Sequence, residues 1–441
     1  MRKIFWLVLL GGLGLAAGCG GSTPAGVPTG GGSGSNVLSI TVDGGPNPST
    51  LGVYANGAFA SATICVPGSS SSCVTVDHLL VDTGSFGLRV LQSAISGLSL
   101  PNVNASNGSA AYDCAAFVDG SFLWGPVQMA NITLGGETAS NVPIQVVANP
   151  TSFTIPTSCS NGGMNEDTQS TLLANGILGV GLQPFDCATA CDPANDNNAP
   201  PSTAPAYFTC TSAGCTPASV SCGAECNDSA ALGQVTNPVV FFSVDNNGVI
   251  VELPALPSSG TAATVTGSLI FGVGTESNNQ LTNANVFTLA CDDFNTSFEG
   301  EPFDIDASSC SGPGSFVDSG SNGYFFPDVN NVVPVCAANP SNPDITSFYC
   351  PTSTASLQAT NFAVDPTTGA QGFSEVINFS IGNAVTLFSS GDAALGTLGG
   401  TQPSGAGFDY GLPFFYGRNV YSTIDLQAVP SNLPAAPWVA Y

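Results

Sequence analysis

The chain consists of short runs of apolar and β-branched residues, separated by clusters of Gly, Pro, Asn and Ser. Such runs predict β-strands, whereas helical periodicity is confined to short stretches near Leu91–Ser96 and Ser170–Leu173. The predicted strands are VLSITVDG, ATICVPG, CVTVDHLLVD, VQMANITLGG, VPIQVVA, VVFFSVDNNGVIVELP, GSLIFGVG, SFVDSG, EVINFSIGN and NVYSTIDLQ. The pattern indicates an all-β protein, and the DNNG sequence ending at Gly248 predicts a hairpin turn.

The first residues predict export. Residues 1–18 have a basic start, a short apolar run and then small residues, which is typical of a cleaved signal peptide. The following LAAGC sequence, ending at Cys19, resembles a bacterial lipobox, which implies lipidation of the Cys19 thiol. The alternative is a plain secreted protein with one unpaired thiol. We therefore predict a protein of the bacterial cell envelope, anchored by lipid to the outer membrane, or else secreted.

The rest of the chain divides into a tether and two lobes. Residues 19–36 are mostly Gly, Ser, Thr, Pro and Ala, a composition typical of a flexible linker. About 400 residues exceed what one hydrophobic core usually serves. We predict an N-terminal lobe at 37–255 and a C-terminal lobe at 256–441. The Cys-rich stretch 186–229 is predicted to be an inserted surface segment held by disulfides.

The cysteine count supports export. The chain has 15 cysteines, and setting Cys19 aside leaves an even number, as expected for an oxidised protein. Local disulfides are predicted for Cys65 with Cys73, Cys187 with Cys191, Cys210 with Cys215, Cys222 with Cys226, and Cys336 with Cys350. Pairing within each half is predicted for Cys114, Cys159, Cys291 and Cys310. With one histidine and no paired CxxC motifs, we predict neither a metal site nor a cofactor.

Charge excludes one class of partner. After signal cleavage, Arg89 and Arg418 are the only basic residues, against 30 acidic ones. Such a surface repels nucleic acid, so we predict no nucleic-acid binding. The acidic excess suits an acidic medium, where protonation reduces self-repulsion, and it also serves the solubility of an extracellular protein.

One motif carries the candidate chemistry. The stretch LLVDTGSFGLRV places Asp82 where the apolar pattern predicts buried backbone, and a buried carboxylate is costly unless it is paired or hydrogen-bonded. A second stretch, SFVDSGSNGYFF, places Asp318 in the same context. The pattern Asp-[Ser/Thr]-Gly-[Ser/Thr] occurs nowhere else in the chain. One copy falls in each half, so we predict that the two carboxylates are partners.

These two motifs resemble the active-site loops of the pepsin-like aspartic peptidases. Further segments are similar to that family and occur in its order: FVDGSFLWG, NGILGVGLQ, VVFFSV followed by GSLIFGVG, and GLPFFYGRNVYSTID. FVDGSFLWG is most similar to the flap of plant members. The resemblance covers most of the chain after the tether. It implies a bilobal double-barrel fold with an active-site cleft between the lobes.

The resemblance also implies a function, that of a monomeric aspartic endopeptidase acting on peptide or protein substrates. Asp82 and Asp318 would share a proton and activate a water for hydrolysis. The supporting residues of the two loops would be Thr83, Gly84, Ser85, Ser319, Gly320 and Ser321. The hydroxyls at 83 and 319 would cross-link the loops, those at 85 and 321 would hydrogen-bond the carboxylates, and the glycines would permit close approach.

The flap departs from the family pattern. The flap residues implied by the resemblance are Phe117, Asp119, Gly120 and Ser121. Phe117 stands where most members have Tyr, and loss of that hydroxyl is expected to lower the rate. Arg89 stands where animal pepsins have Trp. Three roles for Arg89 stay open: it binds a substrate carboxylate, it steadies the flap, or it forms a surface ion pair.

Two other functions stay open, and both involve no cleavage. The protein is either a binding module that keeps the pepsin fold and grips a peptide or glycan, or a structural β-protein of the cell surface. The lone histidine, His78, is interpreted as an ordinary strand residue because no Gly-x-Ser-x-Gly motif accompanies it. The acidic stretch 192–198 lacks the spacing of a calcium loop and is interpreted as a turn.

Overall fold

The structure, a computed structural model, describes residues 35–117, 120–150, 152–187, 206–223, 232–339, 342–403 and 405–441. The predicted signal peptide, Cys19 and nearly all of the tether lie outside these ranges. Within the described ranges, no helix has the length and apolar character needed to span a membrane. The described chain is all-β, as predicted, with only short helical turns between its strands.

The strands described before residue 255 are rich in Val, Ile, Phe and Ala, which favour extended backbone. They are β1 (Val37–Val42), β2 (Ala58–Cys65), β3 (Cys73–Asp82), β4 (Phe86–Leu91), β5 (Ala111–Ala116), β6 (Phe122–Leu134), β7 (Glu137–Val147), β8 (Gly176–Val180), β9 (Tyr207–Thr211), β10 (Gly214–Pro217) and β11 (Gly248–Leu253).

The strands described after residue 255 are shorter, apart from one long hairpin. They are β12 (Thr261–Ala262), β13 (Val265–Phe271), β14 (Val286–Thr288), β15 (Asn295–Phe298), β16 (Glu301–Phe303), β17 (Phe316–Val317), β18 (Tyr324–Phe326), β19 (Ala355–Val364), β20 (Gln371–Ile381), β21 (Ala394–Leu395), β22 (Gly399–Thr401), β23 (Asp409–Tyr410), β24 (Arg418–Thr423) and β25 (Trp438–Ala440).

The helices are single turns or little more. The α-helices are α1 (Pro48–Leu51), α2 (Thr157–Ser160), α3 (Gln169–Leu172) and α4 (Ala384–Ser389), and the 3-10 helices are Gln92–Ile95, Pro238–Phe241, Pro343–Ser347 and Leu412–Phe415. Gln92–Ile95 and α3 confirm the two short helices predicted from the sequence. Thr168 begins α3 with a capping box, in which its side chain and that of Thr171 each accept a backbone N–H.

Six strands of the first half close into a barrel. They follow the order β6-β7-β4-β8-β3-β2, and β2 pairs with β6 to close the ring. Closure leaves no free sheet edge within the ring. The side chains in its core are almost entirely aliphatic, as expected for strands whose inward positions are Val, Ile, Leu and Ala. In the second half, β17, β23, β18 and β22 form one small sheet, and β16, β15, β19 and β20 form another.

A central sheet joins both halves of the chain. β1 pairs antiparallel with β13, and β11 pairs antiparallel with both β13 and β24. Strands from both sides of residue 255 therefore share one hydrogen-bonded sheet. This sheet ties the two Asp-containing halves together, and the lobe boundaries stay a prediction.

One predicted hairpin is wrong. VVFFSV is not a strand, because Pro238–Phe241 forms a 3-10 helix. Pro238 fits the first helical position, and the Asn237 side chain accepts the Val239 N–H at 3.1 Å, which caps the turn. The DNNG sequence therefore leads into β11 at Gly248 from a bend, not from another strand.

The Cys-rich stretch 186–229 is less peripheral than predicted. Its described hairpin, β9 and β10, joins the main sheet because β9 pairs antiparallel with β5. The side chains of Tyr207 and Phe208 are fully buried. These aromatic residues make the hairpin part of the core, so the prediction of a surface segment is wrong for this part. Residues 188–205 and 224–231 lie outside the described residues.

Five disulfides are described, and all agree with the predictions. Three are the predicted local pairs Cys65–Cys73, Cys210–Cys215 and Cys336–Cys350. Cys114–Cys159 and Cys291–Cys310 pair within each half. Cys187 and Cys222 are also disulfide-bonded, whereas their predicted partners, Cys191 and Cys226, lie outside the described residues. This number of disulfides is typical of a protein outside the reducing cytoplasm.

Candidate functional site

Each copy of the Asp-[Ser/Thr]-Gly-[Ser/Thr] motif forms a loop at the end of a buried strand. β3 ends at Asp82, and β17 ends at Val317, one residue before Asp318. The apolar residues that lead into both loops are buried, and so the backbone enters the interior there. Asp82 and Asp318 are each 0% exposed, which confirms that both carboxylates lie inside the protein.

Reciprocal hydrogen bonds between Thr83 and Ser319 join the two loops. The Ser319 N–H donates to Oγ1 of Thr83 at 2.9 Å, and the Thr83 N–H donates to Oγ of Ser319 at 3.1 Å. The Ser319 hydroxyl donates in turn to the carbonyl of Val81 at 2.8 Å. These groups are buried, where hydrogen bonds meet little competition from water. The cross-link implied by the resemblance is present, and it holds the two carboxylates in register.

The first loop surrounds Asp82 with donors. Its carboxylate accepts the Gly84 N–H at 2.8 Å, the Ser85 N–H at 3.2 Å and the Ser85 hydroxyl. Gly84 also has a steric role, since a Cβ atom there would lie 2.5 Å from Oδ2 of Asp318. Only a residue without a side chain permits the two loops to approach this closely.

The second loop repeats this arrangement around Asp318. Oδ1 of Asp318 accepts the Gly320 N–H at 2.8 Å, and Oδ2 lies 3.1 Å from the Ser321 hydroxyl. The contacts of Ser85 and Ser321 implied by the resemblance are therefore both present. Each carboxylate keeps one oxygen on a backbone N–H and the other on a hydroxyl.

The two carboxyls form a hydrogen-bonded pair. Burial raises the pKa of Asp82 well above its ordinary value, and the charge of Asp318 adds to the shift, whereas bonds from Ser85 and Gly84 oppose it. The hydrogen bond to Asp318 also raises the pKa of Asp82. Two carboxyl oxygens form a hydrogen bond only when one carries a proton, and two adjacent carboxyls do not both ionise at low cost. The pair titrates as a unit and can both accept and donate a proton.

The predicted flap residues Phe117, Gly120 and Ser121 lie at the turn of the β5–β6 hairpin. The Phe117 N–H donates to the Ser121 carbonyl at 2.9 Å, and the Gly120 N–H donates to the Phe117 carbonyl at 3.1 Å. The Phe117 ring is half-buried against an apolar cluster that includes Leu80, two residues before the first carboxylate. Gly120 is exposed at the tip, Ser121 is buried, and Asp119 lies outside the described residues.

Arg89 lies inside the protein, not on its surface. It is 4% exposed, and its guanidinium bonds to Asp113 at 2.5 Å, Asp186 at 3.2 Å and Gln145 at 3.2 Å. Burial lowers the pKa of Arg89, but the charges of Asp113 and Asp186 outweigh it and raise the pKa overall. The surface ion pair and the role in binding a substrate carboxylate are both wrong, because the guanidinium is enclosed by these partners. Asp113 lies on β5, so the contact steadies the strand that leads to the flap.

A third carboxyl, not predicted from the sequence, adjoins the pair. Asp409 on β23 is 1% exposed, and its Oδ2 lies 2.6 Å from Oγ of Ser321. Burial, followed by the charges of Asp318 and Asp82, raises the pKa of Asp409 well above its ordinary value, although the Ser321 contact opposes the shift. The sequence did contain a signal for Asp409, because it lies between two aromatic residues in an apolar run. An apolar context is also what singled out Asp82.

The site therefore offers proton transfer between carboxyls, with hydroxyl and backbone donors that fix their orientation. Within the described ranges, no group of three or more His, Cys, Asp or Glu is arranged to hold a metal ion. Among the described residues, His78 pairs with Asp43 and Asp77 and not with the carboxyls of this site.

Comparison with known proteins identifies a family but no activity. No curated protein matches the chain. The family described as protein of unknown function, DUF3443, has a model that matches residues 32–441. This range contains both Asp loops, the β5–β6 hairpin and Asp409. The chain therefore belongs to the DUF3443 family.

Proposed function

We propose that this protein is an exported aspartic endopeptidase of the pepsin-like type, with Asp82 and Asp318 as its catalytic residues. One observation carries the proposal: two matching loops, cross-linked through Thr83 and Ser319, bring two fully buried carboxyls into a hydrogen-bonded pair. Burying two carboxyls without a cation is costly. A protein that only needed a stable loop would gain nothing from keeping both.

The pair would act on a water held between its oxygens. The ionised carboxyl accepts a proton from the water as its oxygen bonds to the peptide carbonyl carbon, and the protonated carboxyl donates to the carbonyl oxygen. The carboxyl that gained the water proton then donates it to the amide nitrogen, the C–N bond of the tetrahedral diol breaks, and the other carboxylate takes a hydroxyl proton from the diol. The products are a carboxylic acid and an amine, and the pair regains its single proton. The hydroxyls of Ser85 and Ser321 would hold the carboxyls in orientation during both steps.

The proposal includes a substrate position and a location. An extended peptide would lie in a cleft between two lobes, covered by the hairpin with Phe117 at its tip. The hairpin lacks the hydroxyl of the usual Tyr, and so we expect a modest rate. Lipidation at Cys19 would anchor the enzyme to the envelope, with residues 20–36 as the tether.

The test is proteolysis by the purified, processed protein. It is incubated with a denatured protein substrate from pH 3 to pH 7, beside Asp82→Asn, Asp318→Asn and, as a matched control, Asp304→Asn. Asp304 is an exposed carboxylate in the second half of the chain. Loss of either catalytic carboxyl is expected to lower the rate by about 10²–10⁴-fold, the usual contribution of general acid–base catalysis. The Asp304→Asn variant should cleave like the wild type.

A second candidate is a binding protein that grips peptides without cleaving them, and the phenylalanine at position 117 is the observation that favours it. Equal inertness of the wild type and both Asn variants at every pH would reject the peptidase. Retention of denatured peptide by that inert protein, measured by fluorescence anisotropy, would support the binding function instead.

A further inference from the structure

We propose that Asp409 is a positioning residue for the Asp82–Asp318 pair. Asp409 acts through the Ser321 hydroxyl and sets the pH at which the pair loses its last proton. The inference rests on the proposed function, since it concerns the pH range in which the pair activates water. The structural basis is a continuous chain of contacts. Oγ of Ser321 lies 3.1 Å from Asp318 and 2.6 Å from Asp409.

Counting protons shows why this chain matters. The Ser321 hydroxyl has one proton, yet it lies within hydrogen-bonding distance of two carboxyl oxygens. Both contacts are hydrogen bonds only if one of the carboxyls is protonated and donates to Oγ. Either Asp318 donates to Ser321 and Ser321 donates to Asp409, or the direction is reversed. Reversal moves one proton between Asp318 and Asp409, and no heavy atom needs to shift.

Apart from the Ser321 hydroxyl, no hydrogen bond or positive charge among the described residues stabilises the ionised form of Asp409. Its Oδ1 is buried and accepts no hydrogen bond from any described residue. The charged groups that act on it are Asp318 and Asp82, both carboxyls. The adjoining strands β17 and β18 contribute aromatic and apolar side chains, including Tyr324. Among the described residues, the Arg418 guanidinium donates to the Phe414 carbonyl at 2.6 Å and not to Asp409.

The direction of the effect follows from this arrangement. When Asp409 is ionised, its charge and its demand for the Ser321 proton both favour a proton on Asp318. The Asp82–Asp318 pair then keeps its last proton to higher pH than it would alone. Asn at position 409 removes the charge and can still donate an N–H to Ser321. The Ser321 hydroxyl is then free to donate to Asp318, which favours the ionised carboxylate.

The first test is the pH profile of kcat/KM on a peptide substrate. Asp409→Asn is expected to move the alkaline limb to lower pH by about one unit, the shift typical of removing one nearby charge. At a fixed pH above the wild-type limb, kcat/KM of the variant would then be about tenfold lower than that of the wild type, with each expressed relative to its own maximum. Asp304→Asn, which removes an exposed carboxylate, should leave the limb in place. An unmoved limb in Asp409→Asn would overturn the proposal.

The role of Ser321 is tested by combining substitutions. In a Ser321→Ala background, Asp409→Asn is expected to shift the limb by less than it does in the wild type, because the hydroxyl link is already broken. An equal shift in both backgrounds would show that Asp409 acts by charge alone and would overturn the proposed route.

A second measurement needs no activity. The folded-state pKa of Asp409 is raised, so its stabilising contribution is complete below the unfolded value of about 3.9 and is lost as pH rises. The Tm of the wild type should therefore fall more steeply than that of Asp409→Asn between pH 4 and pH 8. Parallel curves would reject the inference, whereas an inert wild type with diverging curves would reject only the peptidase.

Discussion

The two Asp loops share one backbone plan but differ in the side chains packed beside them. Ile177 on β8 lies opposite Leu80, two residues before the carboxylate of the first loop. Asp409 on β23 lies opposite Phe316, two residues before the carboxylate of the second loop. One position of the same plan is thus apolar in the first half and acidic in the second.

The residue that pairs with each of these positions from the other side differs in the opposite sense: it is charged in the first half and apolar in the second. Arg89 on β4 pairs with Ile177, and Phe325 on β18 pairs with Asp409. The first loop therefore has a buried cation nearby, and the second has a buried carboxyl among aromatic rings. The backbone plan depends on glycine and hydroxyl positions, which are the same in both loops. The charges around it differ, and Asp409, which contacts Ser321 of the second loop, has an apolar residue, Ile177, as its counterpart beside the first loop.

The largest expected effect comes from removing the cation of the first half. Arg89→Met leaves Asp113 and Asp186 buried without their partner, and breaking a buried pair in this way costs about 3–5 kcal/mol. The matched change in the second half is Phe325→Met, which keeps an apolar side chain of similar size and should cost less than about 1.5 kcal/mol.

The measurement is the free energy of unfolding of both variants in urea at one pH. A cost for Arg89→Met no larger than that of Phe325→Met would show that the buried ion pair does not stabilise the first half. The comparison between the two neighbours would then lose its energetic basis.

An intermediate effect is expected at the cross-link. Ser319→Ala removes one acceptor and one donor with contacts of 3.1 and 2.8 Å, and Thr83→Val removes contacts of 2.9 and 3.5 Å. Each change leaves buried backbone groups unpaired, at a cost of about 1–3 kcal/mol. We expect Ser319→Ala to cost more, because both of its bonds are short. Urea unfolding of the two single variants and the double variant measures both costs and their coupling, and a larger cost for Thr83→Val would contradict this ranking.

The smallest effect lies on the strand that leads into the first loop. Nε2 of His78 on β3 lies 3.3 Å from a carboxylate oxygen of Asp43, and its Nδ1 lies 3.4 Å from one of Asp77. The hydrogen bond to Asp43 raises the pKa of His78, burial opposes the shift, and the charges of Asp43 and Asp77 reinforce it. The corresponding position before the second loop is Gly314, which does not titrate.

A raised histidine pKa stabilises the fold fully below the unfolded value of about 6.5, and this contribution is lost as pH rises through the folded value. For a partly exposed pair we expect less than about 1 kcal/mol. Thermal unfolding of wild type and His78→Gln between pH 5 and pH 8.5 measures it. The stability difference should shrink as pH rises, and a difference that grows would contradict the assignment.

Much of the fold and part of the site could be predicted from residue pattern alone. Alternating apolar runs predicted the strands, and the repeated motif predicted the partnership of Asp82 and Asp318. The VVFFSV segment failed because Pro238 and its Asn cap outweighed β-propensity. Arg89 was misplaced because its acidic partners lie far away in the sequence, on β5 and in the Cys-rich stretch.

The sequence by itself determined the local chemistry of each loop, because a glycine, a hydroxyl and a carboxylate within four residues can satisfy one another without help from distant chain. Only the tertiary structure decided the charge state of the site. Burial and Coulombic coupling depend on distances between remote segments, and it is folding that places Asp409 against Ser321 and encloses Arg89 between two acids. A carboxylate in an apolar run can be recognised from sequence, but the groups that share its proton cannot.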